Sequence, residues 1–241
     1  MGRALFFHPR ESMIARVGAR PVLAASILAA DFARLGEAIQ EAEAGGADWI
    51  HLDVMDGHFV PNLTMGPVVV EACRRITRLP LDVHLMVETP RRDLAAFVSA
   101  GADRISVHVE ADGDLAGTLG AIRDLGARPG VAVNPETPAE AIQHVLSSVD
   151  TILVMTVHPG AAGQAFLPDV LPKVRELRSR RDQIHAAAVL AVDGGINAAT
   201  APQAARAGAE VFVAASAVFA HPRGIAAGLA ELRTAVESDS A

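Results

Sequence analysis

His51-Leu52-Asp53-Val54-Met55-Asp56-Gly57-His58-Phe59-Val60-Pro61-Asn62 is the stretch whose reading decides the fold. With Trp49 and Ile50 before it, Leu52 and Val54 make an apolar run that suits a buried strand. In a strand His51, Asp53 and Met55 lie two residues apart and share a face. An imidazole and a carboxylate on one face of a buried strand are costly unless something pairs with them. Asp56-Gly57 and Pro61-Asn62 then break the strand into a loop. A polar pair at the end of an apolar strand, followed by a long loop, marks a site at the mouth of a sheet or barrel.

The same pattern recurs along the chain. Leu81-Asp82-Val83-His84-Leu85-Met86-Val87 is a second apolar strand with His84 and Met86 on one face, and Ala191-Val192-Asp193-Gly194-Gly195 ends a third in a carboxylate and two glycines. Any one of these polar residues alone reads as a satisfied core group. Together His51, Asp53, His84 and Asp193 read as four ligands for one divalent metal.

From Val22 onward, eight strand-like and eight helix-like segments alternate. The strands are expected at Val22–Leu28, Trp49–Met55, Leu81–Val87, Arg104–Glu110, Arg128–Asn134, Thr151–Val157, Ala187–Asp193 and Val211–Ser216. The helices are expected at Phe32–Ala44, Gly66–Arg75, Arg92–Ala100, Leu115–Leu125, Ala139–Leu146, Asp169–Arg181, Ala198–Ala207 and Arg223–Val236. Asp31, Thr89, Asp114, Thr137 and Asn197 stand at or just ahead of helix N-caps. Three helices end in an echo: Ala44-Gly45-Gly46-Ala47-Asp48, Ala100-Gly101-Ala102-Asp103 and Ala207-Gly208-Ala209-Glu210. Each has glycine where a C-cap wants positive φ, then an acid before the next strand. Near-continuous apolar strands in repeated β-α units form a parallel sheet, and eight units close into a (β/α)8 TIM barrel of the α/β class. The four polar residues then fall at the C-terminal ends of strands two, three and seven, where such barrels place their active sites.

The chain of 241 residues is long enough for one barrel and is 51% hydrophobic, with no tract that spans a membrane. A net charge of −7 with dispersed basic residues argues against a nucleic-acid surface. Arg178, Arg180 and Arg181 read as a solvated helix face. The lone cysteine, Cys73, reads as a buried, inert thiol, excludes an intrachain disulfide and fits a reducing, cytoplasmic setting. Residues 1–20, with Arg3, Arg10, Arg16 and Arg20 against Glu11, read as a disordered extension, and 21–241 as a single domain. A transit peptide is the weaker account of that extension, and Met13 is an alternative start.

Two imidazoles with two carboxylates suit zinc, iron, manganese or cobalt rather than magnesium or calcium. A metal on a carbonyl oxygen acidifies the adjacent C–H. A carboxylate on each side of that carbon can remove a proton from one face and return one to the other, inverting the centre through an enediolate held by the metal. The loops Pro159-Gly160-Ala161-Ala162-Gly163-Gln164 and Gly194-Gly195, with Ser216 at the end of strand eight, look built for a phosphate. Ser26 can reach the same mouth. Met55, Met86 and Met155, taken singly, read as packing residues, and His108 as a hydrogen-bonded core histidine rather than a fifth ligand.

Ser26-Ile27-Leu28-Ala29-Ala30-Asp31-Phe32, the His51–Asn62 stretch, Asp82-Val83-His84-Leu85-Met86-Val87, Val154-Met155-Thr156-Val157 and Val192-Asp193-Gly194-Gly195-Ile196-Asn197 resemble the ribulose-phosphate 3-epimerase family, in order and spacing, from Val22 to Phe219. The resemblance implies a barrel that interconverts D-ribulose 5-phosphate and D-xylulose 5-phosphate at C3. It implies His51, Asp53, His84 and Asp193 as ligands of one divalent transition metal per subunit, zinc first, with iron, manganese or cobalt as alternatives. It implies Asp53 and Asp193 as the acid/base pair, Ser26, His84 and Asp193 as substrate contacts, and Met55, Met86 and Met155 as the lining beside the enediolate. Gly160, Ala161, Ala162, Gly163, Gly194, Gly195, Ala215 and Ser216 would hold the phosphate. The expected partner is a small sugar phosphate, with no nucleic acid and no membrane, in a homo-oligomer.

The chain departs from the family's Asn-Pro-Gly-Phe-Gly-Gly-Gln at His158-Pro159-Gly160-Ala161-Ala162-Gly163-Gln164, and from its Gly-Ser at Ala215-Ser216. Alanine costs most where φ is positive. A hexulose-phosphate (allulose 6-phosphate) epimerase and an inactive sugar-phosphate-binding barrel are the alternatives, and a metal hydrolase leaves the second aspartate unexplained.

Overall fold

The computed structural model describes residues 20–111 and 113–238. The expectation for residues 1–20 therefore lies, Arg20 apart, outside the described residues. Eight parallel strands close into a barrel in sequence order. They are β1 (Val22–Ser26), β2 (Trp49–Met55), β3 (Leu81–Met86), β4 (Arg104–His108), β5 (Arg128–Val133), β6 (Thr151–Met155), β7 (Val189–Asp193) and β8 (Val211–Ala214). The helices are α1 (Leu35–Ala44), α2 (Pro67–Ile76), α3 (Leu94–Ala100), α4 (Leu115–Asp124), α5 (Leu171–Gln183), α6 (Ala201–Ala207), α7 (Ser216–Phe219) and α8 (Ile225–Glu237). None of them is long and apolar enough to cross a membrane.

Alternation along each strand divides the core in two. Leu23, Ile50, Leu52, Val83, Leu85, Ile105, Val107 and Phe212 point outward and pack with the helices. Val22, Ala24, Trp49, Ala132, Leu153, Ala191, Val211 and Val213 fill the barrel interior. At its floor the Arg104 guanidinium stacks 4.4 Å from the centre of the Trp49 ring and hydrogen-bonds Thr151 Oγ1 at 2.7 Å. Both faces of the strands are thus buried, which is why they read as near-continuous apolar runs.

Several strands and helices are shorter than their sequence patterns. The segment expected as a helix at Ala139–Leu146 is a 3-10 helix, Ala139–Ser148. Its buried residues are Ala139, Ile142, Val145 and Leu146, which place one face against the barrel. The short α7 was not expected as a separate element. Asp31 and Asp114 cap as expected, accepting from the N–H of Ala33 at 2.9 Å and of Gly117 at 3.1 Å. Thr89 forms no cap bond, and Thr137 instead donates to the Glu110 carboxylate.

The glycine–alanine–acid echo has a structural meaning. Gly46, Gly101 and Gly208 take positive φ at or just after the helix ends. The acid two residues on accepts a strand-opening N–H: Asp48 from Leu23, Asp103 from Leu81 and Glu210 from Leu190, each at 2.9 Å. Arginines complete these clusters, and one corrects a sequence expectation: Arg181 is buried, not solvated, and pairs with Glu210. With Val174 and Leu177 it falls on the inward stripe of α5, so its stem packs while its guanidinium reaches a buried partner. Cys73 is buried as expected, and burial pushes its thiol up to about 11.

Candidate active site

Parallel register assembles the site. Across β2 and β3, His51 lies opposite Asp82, Asp53 opposite His84 and Met55 opposite Met86. Ser26 of β1 lies opposite His51, and Met155 of β6 opposite Asp193 of β7. All project inward at the C-terminal end of the barrel.

The four expected ligands meet there. His51 Nε2 is 3.3 Å from Asp53 Oδ1 and 3.9 Å from Asp193 Oδ2. His84 Nδ1 is 3.1 Å from Asp53 Oδ1 and 3.6 Å from Asp193 Oδ2. One donor atom from each residue lies within 4.8 Å of the rest. A tetrahedron of bonds near 2.1 Å has edges of about 3.4 Å, so the spacing suits one tetrahedral ion. The decisive atom is His51 Nε2, which is buried and has no hydrogen-bond partner. A buried polar atom without a partner is costly, and a cation beside it removes that cost. The donor set therefore fits a divalent transition metal.

The other side of each of these four residues is tied down. His51 Nδ1 is 2.8 Å from Asp82 Oδ2, which aims Nε2 at the cluster. Ser26 Oγ donates to Asp53 Oδ2 at 2.6 Å. His84 Nε2 is 2.8 Å from His108 Nε2. Thr156 N–H donates to the Asp193 carbonyl at 2.7 Å, fixing the end of β7.

The two carboxyl groups are driven apart in proton affinity. Burial favours the protonated form of Asp53, but the charges of His51 and His84 and the hydrogen bond with His84 outweigh it and hold its pKa far below the usual carboxylate range. Burial, reinforced by repulsion from Asp53, raises that of Asp193 against the opposing histidines. Opposed environments for paired carboxyl groups separate a base from an acid.

A cavity opens above this cluster. Asp53 and Asp193 line its floor, Ser26 and the three methionines its wall, and the loops after β6, β7 and β8 its rim, through Gly160 to Gln164, Gly194, Gly195, Ala215 and Ser216. Every residue expected to touch substrate faces this space except His84, which is fully buried beneath it. Two elements carried no role in the sequence reading. Asp82 stands two residues before His84 on the same strand face, a spacing that exposes it in the sequence. Glu110 stands two residues after His108 in the expected strand Arg104–Glu110, and although β4 ends at His108 it still reaches that ring.

The rim glycines are there for conformation. Gly160, Gly163, Gly194 and Gly195 have φ of +128°, +77°, +117° and +64°. A Cβ on Gly195 would lie 2.6 Å from the Phe166 backbone nitrogen. Gly195→Ala is therefore expected to destabilise the fold by about 2–4 kcal/mol, from positive φ plus an overpacked backbone contact. Chemical denaturation checks this; an unchanged midpoint would show that the loop re-forms around the methyl. By contrast Ala161, Ala162 and Ala215 all lie outside the positive-φ region, so the departures from the family pattern carry no left-handed strain.

Comparison with known proteins follows the same lines. The sequence model described as the ribulose-phosphate 3-epimerase family matches residues 22–219. A ribulose-phosphate 3-epimerase of Bacillus subtilis is 52% identical over 198 residues, covering 82% of this chain and 91% of that one. The enzyme of that name from Synechocystis is 50% identical, covering 83% and 88%. Among solved structures, 3-hexulose-6-phosphate synthase of Salmonella typhimurium superposes with a TM-score of 0.68 at 16% identity, covering 90% of this chain and 99% of that one. Orotidine 5'-phosphate decarboxylase of Pyrococcus horikoshii does so at 0.66 and 13%, covering 90% and 99%. At those identities the structures share the fold.

Proposed function

The chain belongs to the ribulose-phosphate 3-epimerase family, and from that membership we propose how its own residues divide the work. It is an isomerase that inverts C3 of a ketose phosphate, interconverting D-ribulose 5-phosphate and D-xylulose 5-phosphate. The observation that carries the assignment of roles is the convergence of two carboxyl groups, from β2 and β7, on one point beneath the cavity.

His51, Asp53, His84 and Asp193 would hold the metal, and zinc is the ion proposed, with iron, manganese and cobalt accepted by the same donors. When bound, it supplies Lewis acidity at the substrate carbonyl and so acidifies the neighbouring C–H. Asp53, ionised, takes the C3 proton from one face. Asp193, protonated, returns one to the opposite face, and the roles exchange in the reverse direction. Ser26 holds Asp53 Oδ2 and thereby orients the base. Met55, Met86 and Met155 exclude water from the reacting carbon. The loops carrying Gly160, Ala161, Ala162, Gly163, Gly194, Gly195, Ala215 and Ser216 bind the phosphate through backbone N–H groups. A cytoplasmic homo-oligomer acting on a small sugar phosphate, without nucleic acid or membrane, is the setting proposed.

The test is a coupled assay of metal-replete protein on ribulose 5-phosphate, with allulose 6-phosphate beside it. A kcat/KM of about 10⁴ M⁻¹s⁻¹ or more on the pentulose is expected. Better turnover of the hexulose would overturn the substrate assigned. In the same assay Ala161→Phe/Ala162→Gly, which restores the family's phenylalanine and glycine in this loop, should shift KM by up to about tenfold with kcat little changed, because the loop contacts ground and transition states alike. A change confined to kcat would place the loop in the chemical step.

A further inference from the structure

His84 faces the metal position with Nδ1, and its other nitrogen opens onto a chain of groups leading outward. His84 Nε2 is 2.8 Å from His108 Nε2, and His108 Nδ1 is 3.0 Å from Glu110 Oε2. The two rings are stacked, 5.0 Å between centres and 27° apart, and Phe59 packs on His108 at 4.8 Å. Both histidines are fully buried. Glu110 Oε1 accepts from the Asn134 N–H at 2.8 Å and from the Thr137 hydroxyl. Lys173, the chain's single lysine, clamps that loop by donating to the Asn134 and Pro135 carbonyls, each at 2.7 Å.

Proton positions along this chain are not independent. A nitrogen–nitrogen contact of 2.8 Å needs one donor and one acceptor. If His84 offers an Nδ1 lone pair, its proton sits on Nε2. His108 must then accept at Nε2 and carry its own proton on Nδ1, which requires a pure acceptor beyond it. A carboxylate is such a group, and the backbone and hydroxyl donors on its far oxygen keep Oε2 turned toward His108.

We propose that Glu110, acting through His108, is a positioning residue that fixes the tautomer of His84 and so presents its Nδ1 lone pair to the metal. This rests on the metal site described above. Glu110 lies outside the cavity lining and touches none of the four ligands, so its effect on them passes through His108. An outer carboxylate of this kind typically governs metal affinity by 10–100-fold.

Glu110→Gln is the informative change. Its amide oxygen can keep the Asn134 and Thr137 donors, which turns its NH₂ group toward His108 Nδ1. That arrangement places a proton on His108 Nε2 and reverses the tautomer demanded of His84. Zinc affinity, measured by chelator competition, should fall by about 10–100-fold. The visible absorption of the cobalt-loaded protein should weaken or shift, while the melting point of the metal-free protein stays near that of wild type. In a His108→Phe background, where the chain is cut, Glu110→Gln should have no further effect on affinity. Unchanged zinc affinity in Glu110→Gln overturns the proposal, as does an undiminished effect in the His108→Phe background. Failure of wild type itself to bind zinc or cobalt would instead remove the metal site on which the proposal stands.

Discussion

Asp193→Asn is expected to lower kcat for epimerisation by about 10³-fold, the scale of one positioned acid or base, while leaving hydrogen exchange at C3 of one epimer intact. Asparagine keeps the volume and an oxygen near His51 and His84, yet has no proton to deliver. Asp53 keeps the Ser26 hydroxyl donating to its Oδ2, a hydrogen bond that favours the carboxylate. It can remove the C3 proton of the epimer that presents it and return a solvent-derived one to the same face. Mass spectrometry in heavy water should therefore find label in one of the two sugars without inversion, and Asp53→Asn should give the complementary result in the other. Asp193→Asn also removes a carboxyl group that burial and its neighbour disfavour as an anion, so the metal-free protein should lose no thermal stability, while the stability added by the metal falls with the ligand. Near-normal epimerisation in either variant would sink the two-acid mechanism. Exchange in both sugars by a single variant would show that one group serves both faces.

Metal removal is expected to be as severe. Exhaustive chelation should lower turnover by about 10³-fold, if the ion contributes several kcal/mol to the barrier. It should also lower the melting temperature by about 5–10 °C. Saturation at a hundred times Kd contributes about 2.7 kcal/mol, and each kcal/mol moves the midpoint by about 2–4 °C in a chain of this size. Both losses have one source: ligands clustered in a buried space, with His51 Nε2 left without a partner. Zinc, manganese or cobalt should restore both, and magnesium should not, because it prefers an all-oxygen shell. Full activity in protein shown by elemental analysis to hold no ion would overturn the role given to these histidines.

The barrel was legible because its signals are local. Alternation of apolar strands and amphipathic helices, with glycines and caps between them, is a property of neighbouring residues, and each unit repeats it. His51 and Asp53 were legible for the same reason, as polar residues on one face of an apolar strand. Where the reading slipped, the missing information was not local. Arg181 looks solvated beside Arg178 and Arg180 until α5 is laid on the barrel and Glu210 comes within reach. The segment Ala139–Ser148 reads as an ordinary helix by composition, and its 3-10 form is seen only in the structure.

The sequence by itself determined the fold class, the four inward-facing polar residues at strand ends, the glycine-rich rim and, through motif resemblance, the family. Only the tertiary structure decided which atoms meet. It took the closed register of β2 and β3 to set Asp82 behind His51, and the neighbouring β4 to set His108 and Glu110 behind His84. The physical reason is the reach of each interaction: strand periodicity is set by the backbone within a few residues, whereas a hydrogen bond near 2.8 Å between residues some thirty positions apart depends on the register and closure of the whole barrel.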